Sequence, residues 1–115
     1  MTHTLRLCDD AELGEGAAKG FAALKVFALR HHGQVHVWRD VCPHHGSTPL
    51  AWRRDAYLNA GATRIVCAAH GAQFEPDTGL CTLGPCLGER LQRVPARSVG
   101  GDIRIELDNP QEGPA

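Results

Sequence analysis

Net charge is almost absent from this chain: its 115 residues sum to −1 at pH 7. That balance argues against nucleic acid or an anionic membrane as partner. No stretch approaches the about 20 consecutive apolar residues of a membrane span. The start, Met1-Thr2-His3-Thr4-Leu5-Arg6-Leu7-Cys8, has neither a basic region followed by an apolar run nor a twin-arginine pair, so no export is expected. Five cysteines are an odd number and fit a secreted disulfide framework poorly. They fit a reduced compartment with some thiolates on metal better, and the expected location is cytoplasmic. Neither an internal repeat nor a linker is visible. The 43 % apolar and 22 % charged composition suits one globular domain over 1–115.

Helix signals are equally scarce. Asp9-Asp10-Ala11-Glu12-Leu13 carries a capping signature worth one turn, and Ser47 to Asn59 suggests an irregular helical turn. Strand signals recur instead. Leu24 to Arg30 is apolar and β-branched, His31-His32-Gly33 turns, and Val35 to Trp38 alternates, which predicts a hairpin. Arg64-Ile65-Val66 forms a short strand, and Gln73-Phe74 precedes the turn Glu75-Pro76-Asp77-Thr78-Gly79. Leu91 to Val99 and Asp102 to Leu107 flank Gly100-Gly101, a second hairpin with Ile103, Ile105 and Leu107 on one face. The polar tail from Asp108 to Ala115 is expected to fray. The fold class is mainly β, and thirteen glycines and seven prolines fit its many tight turns.

Two clusters stand out against this background: Cys42-Pro43-His44-His45-Gly46 and Cys67-Ala68-Ala69-His70-Gly71. Each puts a cysteine and a histidine on a short loop ended by glycine, so Cys42, His44, Cys67 and His70 form a Cys2His2 metal set. A single such pair is commonly chance packing; two pairs, each on a predicted loop, argue for metal. Structural zinc is the rival, since the same donors suit a tetrahedral ion. Zinc sites usually keep two cysteines in one knuckle and two histidines on a helix, whereas each loop here is mixed. A [2Fe–2S] cluster with two cysteines on one iron and two histidines on the other uses mixed loops naturally. Two ferric ions, two sulfides and two thiolates sum to zero charge. Adding an electron is then easier than in a four-cysteine cluster.

The segment from Cys42 to Pro85 resembles the Rieske family. The matching residues are C-P-H-H-G at 42–46, C-A-A-H-G-A-Q-F at 67–74, T-G at 78–79 and G-P at 84–85. Within the family it is most similar to small soluble Rieske ferredoxins and to the Rieske-type small subunit of assimilatory nitrite reductase. The resemblance implies three antiparallel sheets, with a basal part from both chain ends and a cluster-binding part inserted over about 42–82. It implies one [2Fe–2S] cluster, His44 and His70 binding through Nδ1, and Gly84-Pro85 as the loop that shields the cluster from water.

Departures from the family pattern refine the expectation. High-potential members carry an extra cysteine in each box, joined as a disulfide; Ser47 and Ala69 stand there. They also place a serine and a tyrosine after the second box, and Ala72 and Phe74 stand there. Without these donors to the cluster sulfurs, a low-potential protein is implied. The interval from His45 to Val66 is long for a Rieske ferredoxin. Its Trp52 and Tyr57 are better read as packing the insertion down than as a docking flap. Cys81 and Cys86 bracket the shielding loop, and buried structural thiols are favoured over a regulatory disulfide. Cys8 is a core residue of the first strand, His45 is at least as readily a solvated histidine that tunes local charge as a proton-transfer group, and His31, His32 and His36 receive no role.

The resemblance implies an electron carrier between a reductase and a terminal oxygenase or other acceptor, itself not an enzyme. Rieske oxygenases need a further mononuclear-iron domain. The alternative is a small subunit of a nitrite-reductase-like enzyme; there some members lack the cluster ligands, and all four are present here. A redox sensor using Cys81 and Cys86 is the least favoured reading.

Overall fold

A computed structural model describes residues 2–41, 57–59, 61–67, 71–84 and 86–108. The described residues form ten strands and a single 3-10 turn at Asp10–Glu12. In chain order the strands are β1 (Thr2–Asp9), β2 (Ala18–Phe21), β3 (Val26–His31), β4 (Gln34–Arg39), β5 (Ile65–Val66), β6 (Gln73–Phe74), β7 (Cys81–Leu83), β8 (Arg93–Val94), β9 (Ala96–Val99) and β10 (Asp102–Asp108). They build three antiparallel sheets, ordered β1-β10-β9, β2-β3-β4-β8 and β5-β6-β7. The expected three-sheet β architecture is therefore present, with both chain ends paired in one sheet.

The β3–β4 hairpin is the centre. His31 pairs Gln34 across a two-residue turn, and His32 and Gly33 both have positive φ, 53° and 77°. That geometry matches the right-handed twist of the strands. Glu15 clamps the turn by accepting from the backbone N–H of His32 and of Gly33, each at 2.8 Å. Successive side chains of a strand point to opposite faces, and here both faces are covered. Val26, Ala28 and Val37 pack with Ile103 and Ile105 on one side. Phe27, Leu29 and Trp38 pack with Ile65, Phe74 and Cys67 on the other. A strand buried on both faces reads as a continuous apolar run rather than an alternating one.

Several expected boundaries shift for identifiable reasons. Lys25 has φ 56° and ends a turn over 22–25, so β3 starts at Val26 rather than Leu24. The expected strand from Leu91 to Val99 is two strands in two sheets, β8 beside β4 and β9 beside β10. Pro95 sits at the break, where a residue without an N–H cannot continue a ladder; its carbonyl still accepts from Glu106 N–H at 3.0 Å. β2 carries no strand signal in the sequence, since Ala18-Lys19-Gly20-Phe21 shows no alternation. Its glycine has a tertiary cause: a Cβ at Gly20 would lie 2.5 Å from the Tyr57 hydroxyl.

Other expectations hold. The β9–β10 turn is at Gly100-Gly101, with Ile103 and Ile105 fully buried. The capping signature gives one turn, with Asp9 N–H donating to the Glu12 carboxylate at 2.9 Å. Cys8 is buried in the core beside β10, where burial, followed by the charge of Glu12, pushes its thiol pKa up. The expected helical turn from Ser47 and the fraying tail fall largely outside the described residues. No helix among the described residues is long and apolar enough to cross a membrane. Phe27→Ala should lower unfolding free energy by about 3–5 kcal/mol, since Phe27 is fully buried and stacks on Tyr57 at 4.2 Å. Urea denaturation followed by tryptophan fluorescence measures it.

Candidate metal centre

Of the four expected ligands, Cys67 is among the described residues. Cys42, His44 and His70 lie outside them, as do Trp52, His45 and Pro85. Cys67 directly follows β5 and is fully buried. β5 and β6 pair Val66 with Gln73, and the intervening loop is closed by two backbone bonds. Cys67 N–H donates to Ala72 C=O and Gly71 N–H to Cys67 C=O, both at 2.8 Å. Gly71 takes φ 71°, the left-handed conformation that glycine adopts without penalty.

The chain leading to the first box and the chain leading to the second share one anchor, Tyr57. β4 ends at Arg39, and Asp40 immediately precedes Val41 and Cys42. The Tyr57 hydroxyl donates to the Asp40 carboxylate at 2.6 Å, and the Tyr57 carbonyl accepts from Val66 N–H at 2.8 Å. One residue thus touches the strand end two positions before Cys42 and the strand residue one position before Cys67. Its ring lies parallel to Phe27, 4.2 Å away. Tyr57 itself packs onto the central sheet, as its expected packing role requires. The donor chemistry fits a soft metal: a buried thiol on a loop folded back on itself, with the other box starting from the same anchor.

A second loop presses on this one. Gly84 follows β7 with φ 105°, and a Cβ there would lie 2.7 Å from Ala72 Cα. No side chain fits, so the start of the Gly84-Pro85 loop is held against the loop that begins at Cys67. Leu83 and Leu87 flank it and are exposed, at 55 % and 67 %. Beneath it, Cys81 and Cys86 are both buried, and their sulfurs approach to 3.1 Å. A disulfide requires about 2.05 Å, so these are thiols in contact, the Cys81 thiol also reaching Leu83 C=O at 3.3 Å.

The three histidines that the sequence left without a role meet around Asp77, in the turn between β6 and β7. Sequence could not pair them: 46 positions separate His31 from Asp77, and the meeting of two turns is a tertiary event.

Gly84→Ala should destabilise the fold by about 1–3 kcal/mol, from positive-φ strain and the clash with Ala72. Tyr57→Phe should cost about 1.5–3 kcal/mol by removing a hydrogen bond to a charged group. Thermal denaturation of each variant beside Gly88→Ala, where a Cβ would meet open space, separates the clash from the backbone strain.

Comparison with known proteins gives the wider context. No curated protein matches the chain. Among solved structures, the ferredoxin of carbazole 1,9a-dioxygenase from Nocardioides aromaticivorans IC177 is similar at TM-score 0.69 and 21 % identity, covering 89 % of this chain and 95 % of that one. The reduced complex between oxygenase and ferredoxin in carbazole 1,9a-dioxygenase matches at TM-score 0.73 and 19 % identity, over 90 % of this chain. The terminal oxygenase of the Nocardioides enzyme matches at TM-score 0.72 and 24 % identity, over 93 % of this chain. This chain spans only 28 % and 30 % of the length of those two. At these identities the likeness is one of fold. The model of the Rieske [2Fe-2S] domain matches residues 3–98; with both its sheets and its sequence in agreement, the chain belongs to the Rieske [2Fe–2S] domain family.

Proposed function

We propose that this protein is a Rieske-type ferredoxin, a one-electron carrier between a reductase and a terminal oxygenase or similar acceptor. The observation that carries the reading is its near end-to-end match with a ferredoxin of an oxygenase system, over 95 % of that chain. The terminal oxygenase is matched over 30 % of its length, the share expected of one Rieske domain within a larger enzyme. The likeness to a ferredoxin of an oxygenase system favours a carrier over a subunit of a nitrite-reductase-like enzyme. In this reading the chain is not itself a catalyst and works in the cytoplasm.

Cys42, His44, Cys67 and His70 would hold the [2Fe–2S] cluster, which supplies reversible one-electron exchange when bound. The rest is the work of the protein. Tyr57 and Asp40 hold the approaches to both ligand boxes together, Gly84 lets its segment lie against Ala72, and the buried Cys67 is kept from water. The exposed Leu83 and Leu87 beside that loop give an apolar rim suited to a brief encounter with a redox partner. Ala72 and Phe74 are fully buried and bring no hydroxyl to the site.

The isolated protein should be red-brown, with about two irons and two acid-labile sulfides per chain. Cys42→Ser, Cys67→Ser, His44→Ala and His70→Ala should each abolish the colour and lower the thermal midpoint. Colourless protein holding one zinc would refute the assignment. The midpoint potential should lie near the low end of the Rieske range, on the order of −150 mV, and Ala72→Ser or Phe74→Tyr should raise it by adding a donor. Voltammetry on the three proteins measures this; a potential well above zero in the parent protein would contradict it.

A further inference from the structure

Asp77 is surrounded by imidazoles. His31 Nδ1 lies 2.8 Å from Oδ1, His36 Nε2 3.1 Å from the same oxygen, and His32 Nδ1 3.4 Å from Oδ2. The donor atoms of His31, His32 and Asp77 all fall within 4.8 Å of one another, and the two adjacent rings are 3.8 Å apart. The histidines come from the β3–β4 hairpin and the carboxylate from the β6–β7 turn, so the cluster joins the central sheet to the sheet that carries Cys67.

The surroundings hold this arrangement in place. Glu15 fixes the turn bearing His32. Arg93 donates to the Asp77 carbonyl, and Trp38 Nε1 donates to the Pro76 carbonyl at 3.3 Å. His36 is 7 % exposed, and its Nε2 is buried without a hydrogen-bond partner, its contact to Asp77 being off-angle. A guanidinium can only donate, and Arg93 Nη1 is 3.0 Å from His36 Nδ1. Nδ1 therefore accepts, and the proton sits on Nε2, beside the Asp77 carboxylate but out of line for a hydrogen bond. Burial, followed by the charge of Arg93, lowers the pKa of His36.

A hydrogen-bonding hub accounts for His31 alone. It does not account for an exposed second imidazole turned to the other carboxylate oxygen, or for a buried Nε2 left short of a good partner. Two imidazoles and a carboxylate, oriented by a further histidine, are the donors of a first-row divalent metal ion. We propose that His31, His32 and Asp77 form a second metal site, separate from the Cys2His2 set, for a divalent ion of the zinc class, with His36 as a positioning residue for the carboxylate. On binding, the His31–Asp77 hydrogen bond opens and the imidazole proton moves from Nδ1 to Nε2. Both Nδ1 atoms and the carboxylate replace water on the ion, and one water remains on it. The bound ion would lock the β6–β7 turn to the β3–β4 turn.

The test uses the full chain with its own cluster in place, so that the Cys2His2 set is already filled. Zinc is titrated by calorimetry while the visible absorbance shows the cluster intact. One zinc should bind per chain and raise the thermal midpoint. His32→Gln, at an exposed position that leaves the core untouched, should weaken binding more than about tenfold and remove the thermal gain. Asp77→Asn should do the same, His36→Gln should weaken binding about tenfold, and the distant Glu106→Gln should change nothing. No zinc binding, or equal binding by the parent and His32→Gln, would overturn the site. Unchanged affinity in His36→Gln would overturn its positioning role.

Discussion

Because Val26 through Leu29 are buried on alternate faces, the β3–β4 hairpin must be covered on both sides at once. One side is met by the sheet formed from the two chain ends, through Ile103 and Ile105. The other is met by the small sheet that carries Cys67, through Ile65 and Phe74. Two-residue and three-residue strands such as β5 and β7 form too few ladder bonds to stand alone. Their position depends on the apolar face of a larger sheet, and so does the placement of Cys67 at the end of β5.

The same dependence explains how a few side chains between layers come to matter. Tyr57 stacks on Phe27 and bonds both Asp40 and Val66, so the central sheet sets where the chain enters the two Cys-His boxes. Trp38, Arg93 and Asp77 make a second tie, at the opposite turn of the small sheet. Arg93 lies over the Trp38 ring at 4.3 Å and donates to the Asp77 carbonyl, and so bridges the central sheet and the β6–β7 turn in one side chain.

Much of this was legible in the sequence where the signal is local. Paired turn residues at His32-Gly33 and Gly100-Gly101, alternation along β10 and the two mixed Cys-His boxes all read correctly as strand, hairpin and family. Local signals failed where a tertiary contact decides. Gly20 is small because a tyrosine hydroxyl lies above it, and Pro95 ends one sheet and begins another within an apparently continuous strand. His31, His32 and His36 carry no spacing signature that points to Asp77. The closeness of Cys81 and Cys86 was suggested by their bracketing of a loop, and their burial followed from the core beneath it.

The central claim is that two cysteines and two histidines of this chain share one iron–sulfur cluster. Pulsed electron paramagnetic resonance on the chemically reduced protein addresses the ligands directly. The account predicts strong couplings to two nitrogens bonded to iron, both lost with the cluster when His44 or His70 is replaced. A paramagnetic cluster with no coordinated nitrogen, or no paramagnetic signal in a zinc-containing protein, would contradict it.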